Sequence, residues 1–171
     1  MIAALLATIV AASAAASSMP PACSAITEFH QLDFWLGTWD VYSGKNRDGR
    51  DDVHAILDHC AIIEEWRDVT GHRGQSLFYF DSFAKQWQQI WITDQATYRG
   101  GLKRKTLVAV YPNGGVRFEG ALPGAPGSAT ILDRTTLTPL SGGRVHQVIE
   151  ISRDGGTTWK PTYDAIYIRI K

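Results

Sequence analysis

An all-β fold, an antiparallel up-and-down barrel of about ten strands with a short N-terminal helical turn, is what this sequence predicts, and three observations predict it. From Phe34 onward, short runs alternate apolar and polar residues, the period of a strand with one face buried. Clusters of Gly, Asn, Asp or Pro separate these runs at roughly the 8–12 residue spacing of an all-β domain. The chain of 171 residues is 44% hydrophobic with six each of Phe, Trp and Tyr, enough for one packed core. An antiparallel sheet this wide does not stay flat and open, so it curls into a barrel, which we prefer, or folds into a sandwich.

The elements follow in order. Residues 1–27 contain no Asp, Glu, Lys or Arg, and Ile2 to Ala16 is an Ala-rich apolar run. That run suits a signal-peptide core and is too short to cross a bilayer. Ala14-Ala15-Ala16 offers a small-x-small cleavage site, and Pro20-Pro21 would break a continuing helix. A buried N-terminal helix is the alternative. The expected organisation is a signal peptide at 1–16, an N-terminal arm at 17–33 and a barrel domain at 34–171.

Export to the periplasm or the medium places Cys23 and Cys60 in an oxidising compartment. One disulfide is then the simplest pairing, and two buried thiols are the alternative. Closing that loop would contribute about 4 kcal/mol in the chain-entropy description.

Thr27 is placed to cap one helical turn running to about Leu32. Strands are expected near Trp35–Tyr42, Asp52–Leu57, Ala61–Arg67, Gln75–Phe80, Trp87–Thr93 and Tyr98–Leu102. Others are expected near Thr106–Tyr111, Gly115–Gly120, Thr130–Thr138, Val145–Ser152 and Tyr163–Ile170. Arg47-Asp48-Gly49, Pro112-Asn113-Gly114-Gly115, Ser141-Gly142-Gly143 and Asp154-Gly155-Gly156 carry the residues that hairpin turns use.

Charge and motif content exclude several function classes. Seventeen basic residues balance seventeen acidic ones, with a sequence pI near 7.0, which predicts no nucleic-acid partner. Lys103-Arg104-Lys105 reads as a solvated turn or strand end. No nucleophile elbow, phosphate-binding Gly loop or His-Glu-x-x-His pattern is present. His30, His54, His59, His72 and His146 form no close pair of ligand spacing, so neither a metal nor haem is expected, and no other cofactor. Ser152-Arg153-Asp154-Gly155-Gly156-Thr157-Thr158-Trp159 matches the Asp box of sialidase propellers, but a single copy in a short chain reads as a tight hairpin with Asp154 bonding the turn backbone.

The run Leu32-Asp33-Phe34-Trp35-Leu36-Gly37-Thr38-Trp39 resembles the Phe-x-Phe-Trp-Leu-Gly-x-Trp opening of a family of exported bacterial proteins with no assigned activity, and its Gly37-x-Trp39 is similar to the Gly-x-Trp of lipocalin and calycin barrels. The resemblance continues through Cys60 to Trp66, Gly74-x-Ser76, Trp87 to Asp94, and Gln147 to Trp159. It implies a lipocalin-like barrel outside the cytoplasm. Two positions depart from the family pattern: Gln88 stands where His is common, and Ile149 where Trp is common. Arg169 on the last strand is placed to stack on Trp39, as an Arg near the end of a lipocalin barrel does.

Alternation selects the candidate ligand-facing residues. Ile62, Glu64 and Trp66 share one face, Trp87, Gln89 and Trp91 another, and Val145, Gln147 and Ile149 a third. Glu64 is the carboxylate expected to point inward, serving as a ligand anchor or general base, or held structurally, for example by Arg134. Trp39, Trp66, Trp91 and Tyr167 are wall candidates, and Glu64, Gln89, Arg134 and Gln147 polar anchors. The leading reading is a non-catalytic barrel that binds a small hydrophobic or amphipathic molecule. Its rivals are an isomerase, cyclase or hydrolase using Glu64, and a solid-core envelope interaction module.

Overall fold

A computed structural model describes residues 20–97, 100–122 and 127–170, so the expected signal peptide at 1–16 lies outside the described residues. Three 3₁₀ turns, Cys23–Ala25, Thr27–His30 and Asp33–Trp35, precede ten strands. These are β1 (Gly37–Ser43), β2 (Asn46–Ile56), β3 (Ala61–Asp68), β4 (Arg73–Asp81), β5 (Gln86–Thr93), β6 (Leu102–Val110), β7 (Val116–Leu122), β8 (Ile131–Leu140), β9 (Arg144–Ser152) and β10 (Lys160–Arg169). Every strand pairs antiparallel with the next, and β10 returns to pair with β1, closing the barrel. Closure leaves no unpaired sheet edge, which is why the barrel is preferred over a sandwich.

The elements differ from expectation at four places. Leu102–Val110 is one strand where two were expected, and its first part includes Lys103-Arg104-Lys105. They do lie at the start of a strand, with Arg104 exposed, but Lys103 and Lys105 are not solvated: they pair in register with Trp91 and Gln89 and face inward. The expected Tyr98–Leu102 strand falls partly outside the described residues. The first strand begins at Gly37, since Trp35 closes the third 3₁₀ turn, and β2 begins at Asn46, six positions before expectation. Thr27 lies within its turn rather than capping it; Ile26 occupies the cap position and makes no side-chain cap.

The arm plugs one end of the barrel. Phe29, Leu32 and Trp35 are buried there, and each such side chain contributes roughly 1.5–3 kcal/mol when fully removed from water. Phe29 packs 4.9 Å from Phe80, ring centre to ring centre, and Trp35 meets Phe78 edge-on at 5.3 Å. The Trp87 indole donates to the Glu28 carbonyl at 2.9 Å, and Trp39 to the Trp35 carbonyl at 3.0 Å. A disulfide joins Cys23 in the arm to Cys60 at the β2–β3 turn.

Gly37 and Trp39 act together at this end. Gly37 has φ +143°, and a Cβ there would lie 2.0 Å from Arg169 Nη1. The missing side chain lets the Arg169 guanidinium donate to the Leu36 carbonyl at 2.7 Å and stack 4.2 Å over the buried Trp39 ring. At the β9–β10 hairpin, Asp154 accepts from the Thr158 amide at 2.9 Å and its hydroxyl at 2.6 Å, while the Trp159 indole donates to the Gly156 carbonyl. Those bonds hold the Asp154 carboxyl down to about 2, the structural role read for the Asp-box match.

Candidate functional site

Above the aromatic plug the barrel interior changes character. Strand by strand, the inward positions become polar: Asp51 on β2, Glu64 on β3, Ser76 on β4, Gln89 on β5, Lys105 on β6, Asp133 and Thr135 on β8, and Gln147 on β9 are all buried. The belt follows from alternation. On each strand an apolar residue of the plug lies two positions from the polar one, as with Val53 and Asp51, Ile62 and Glu64, and Phe78 and Ser76. A cavity of about 420 Å³ opens above the belt to the end opposite the arm, lined at its mouth by Trp66, Trp91, Lys103 and Tyr163.

The mouth stays open because two glycines accept the tryptophans sideways. A Cβ on Gly74 would lie 2.2 Å from the Trp91 ring, and one on Gly49 would lie 2.6 Å from the Trp66 ring. Each indole therefore lies against the neighbouring strand, leaving the axis clear.

The belt has two charged poles. On one side Lys105 ion-pairs with Asp133 and donates to Thr135 Oγ1 at 2.6 Å, while Lys103 Nζ lies 2.9 Å from Asp133. Two ammonium groups thus share one carboxylate. Burial pulls the Lys105 amine down to about 8, opposed by Asp133.

On the other side stand two carboxyls. Burial, reinforced by the charge and hydrogen bond of Glu64, drives the Asp51 carboxyl well above the usual carboxylate range. Burial also lifts Glu64 to about 7, against hydrogen bonds from Ser76 and Asp51 and the charges of Lys105 and Lys103. The Asp52 backbone amide favours the ionised Asp51 but does not offset burial; protonated, Asp51 donates to Glu64. The Ser76 hydroxyl donates a hydrogen bond to Glu64 and accepts one from Gln89 Nε2 at 3.1 Å. Gln89 Oε1 is buried with no hydrogen-bond partner among the described residues. Tyr167 donates to Gln147 Oε1 at 3.0 Å, and burial holds its phenol above the usual range.

Of the residues expected to face a ligand, Glu64, Trp66, Gln89, Trp91, Gln147 and Tyr167 all line this cavity. Trp39 does not; it is fully buried in the plug beneath Arg169. Arg134 does not either. It lies on the outer face, ion-paired to Glu150 at 2.6 Å and stacked 4.1 Å over Trp159, because its neighbours Asp133 and Thr135 take the inward positions. Glu64 is therefore not held by Arg134; its hydrogen bond comes from Ser76, and the inward lysines of β6, paired with Asp133, act on it only through their charge. Sequence reading missed Asp51, Ser76, Lys103, Lys105 and Asp133. Their signal was the alternation Gly49-x-Asp51-x-Val53, Lys103-x-Lys105-x-Leu107 and Ile131-x-Asp133-x-Thr135.

A larger concavity of about 790 Å³ lies elsewhere, on the outer face between β2 and β5, lined by Arg50, Asp52, Glu65, Arg67 and Arg73. Its charged groups are exposed and keep their water, so it lacks the desolvation that gives the interior site its chemistry. Among the described residues no helix is long and apolar enough to cross a membrane. No protein-family model matches the chain, and no curated protein matches it.

Proposed function

We propose that this barrel binds a small amphipathic molecule, polar end first, with the polar belt as the base of the site and Trp66 and Trp91 as its aromatic walls. The observation that carries the reading is Gln89. Its Oε1 is buried beside the cavity without a hydrogen-bond partner among the described residues, a position that costs about 1–3 kcal/mol until a donor arrives. A ligand donor there, with an acceptor turned toward the Lys103–Lys105 side, satisfies both poles, while its apolar part lies between the indoles. The cavity argues against a solid-core interaction module. Export to the periplasm or the medium belongs to the same proposal, supported by the Cys23–Cys60 bridge and by the family resemblance of the opening motif.

The test is titration of the mature protein with 8-anilinonaphthalene-1-sulfonate, an amphipathic aromatic anion, followed by quenching of tryptophan emission. One molecule should bind per chain, and Gln89→Leu should change its affinity by about tenfold, the effect of one buried polar group. Binding at several weak sites, or binding untouched by Gln89→Leu, would sink the proposal. Native mass spectrometry of protein from an exporting host, before and after denaturation, identifies the chemical class of any molecule retained.

A second reading rests on Glu64, which the buried belt holds near half-ionisation at neutral pH. A carboxylate in that state at a cavity base can take a proton from carbon next to a ligand carbonyl and return it, with the Lys105 ammonium facing the enolate oxygen. Deuterium wash-in from heavy water into a bound ketone, abolished in Glu64→Gln, tests it.

A further inference from the structure

Outside the barrel, the arm and the β2–β3 turn bring together three groups that lie far apart in sequence. His30 ends the Thr27–His30 turn and Asp33 begins the next, a three-residue spacing that places both on one side of the arm. His59 comes from the β2–β3 turn, where the disulfide through the adjacent Cys60 ties that turn to Cys23. The His30 and His59 rings lie 5.1 Å apart, and one ligand atom from each of His30, Asp33 and His59 falls within 4.8 Å of the others.

We propose that His30, Asp33 and His59 form a binding site for a divalent transition-metal ion of the zinc class, with its remaining position open to water. Two imidazoles and one carboxylate are a donor set suited to that ion, and three protein ligands leave it an exchangeable site. Sequence spacing offers no close histidine pair; the fold brings His30 and His59 together.

Three features prepare the site. His30 Nε2 donates to the Ser24 carbonyl at 3.0 Å, which fixes the ring and leaves Nδ1 facing the cluster; the Nδ1 hydrogen, donated to Asp33 in the metal-free protein, is displaced when an ion binds. That Nδ1 is 2.7 Å from Asp33 Oδ2, while Asp33 Oδ1 is buried with no hydrogen-bond partner among the described residues. Leu57, Asp58 and His59 hold φ of 51°, 55° and 65°, three successive left-handed residues without a glycine. That turn aims His59 at His30, and Ser24 Oγ fastens it by donating to Asp58 at 3.0 Å.

Binding asks little movement. A tetrahedral ion with bonds of about 2.0–2.1 Å holds its ligands about 3.3 Å apart, so the His30–Asp33 contact opens slightly and the His59 ring closes in. The other histidines provide the contrast. His54, His72 and His146 each face a single aspartate, at 3.7, 3.6 and 2.8 Å, and none of them shares the ligand cluster.

The test is calorimetric titration of the tag-free, disulfide-bonded protein with Zn²⁺, with Co²⁺ absorption as a report on the ligands. One equivalent should bind. His59→Asn, which keeps the left-handed turn because Asn tolerates it, should weaken binding at least about tenfold, as should His30→Gln, and His146→Gln should change nothing. Removing the bridge in Cys23→Ser/Cys60→Ser should weaken binding comparably, since the two imidazoles are then no longer tethered. No one-to-one binding, or binding that survives His59→Asn, overturns the proposal.

Discussion

Replacing Glu64 with Gln should make the protein more stable above neutral pH and leave it little changed in mild acid. The folded Glu64 carboxyl titrates at about 7 against 4.5 for an unperturbed one. Between those values the folded chain holds a proton that the unfolded chain has released, so stability falls as pH rises through the window. A displacement of about 2.5 units corresponds to about 3 kcal/mol. Gln keeps the shape and accepts from Ser76, but never ionises. The difference in stability between Glu64→Gln and the native protein should therefore grow by about 3 kcal/mol from pH 4.5 to pH 8, or roughly 6–12 °C in Tm for a domain of this size. The assay is thermal unfolding by circular dichroism at half-unit pH steps for both proteins. A difference that is flat with pH, or that shrinks toward pH 8, would refute the buried-carboxyl argument, whatever the fixed cost of the substitution.

Lys105 gives the opposite slope. Its folded amine titrates at about 8 rather than 10.5, so the unfolded chain holds the extra proton, and native stability should rise by about 3 kcal/mol between those values. Lys105→Met should flatten that rise in the same unfolding series. Gly74→Ala places a methyl 2.2 Å from the Trp91 ring; it should cost about 1–3 kcal/mol in denaturant unfolding and, by tipping the indole across the mouth, slow uptake of the anilinonaphthalene probe in stopped flow. Converting Cys23 and Cys60 together to Ser should lower stability by up to about 4 kcal/mol while the far-ultraviolet spectrum keeps its β signature; loss of that signature at 25 °C would mean that the barrel does not stand without the tethered arm.

The parts of this molecule legible in the sequence are those governed by rules along the chain. Alternation placed Glu64, Gln89 and Gln147 on inward faces because pleating allows no other arrangement, and Gly37 before Trp39 announced the close approach of Arg169 because no larger residue leaves room for it. The missed residues share a different cause. Lys103 and Lys105 looked like solvent-facing charge because a buried lysine needs a partner, and the partner, Asp133, comes from β8, non-adjacent to β6 in the sheet. His30 and His59 looked unrelated because the disulfide, not sequence spacing, brings their rings together. The same reasoning explains why the interior belt points to binding. A core selected for stability alone would fill these positions with apolar side chains, since replacing buried ion pairs that way is often stabilising. Here Glu64 is destabilising once ionised and Lys105 while protonated, so the empty site is least stable near pH 7 to 8. A ligand that satisfies both poles relieves that cost, and its binding should shrink the dip in the Tm-against-pH curve rather than raise the whole curve evenly.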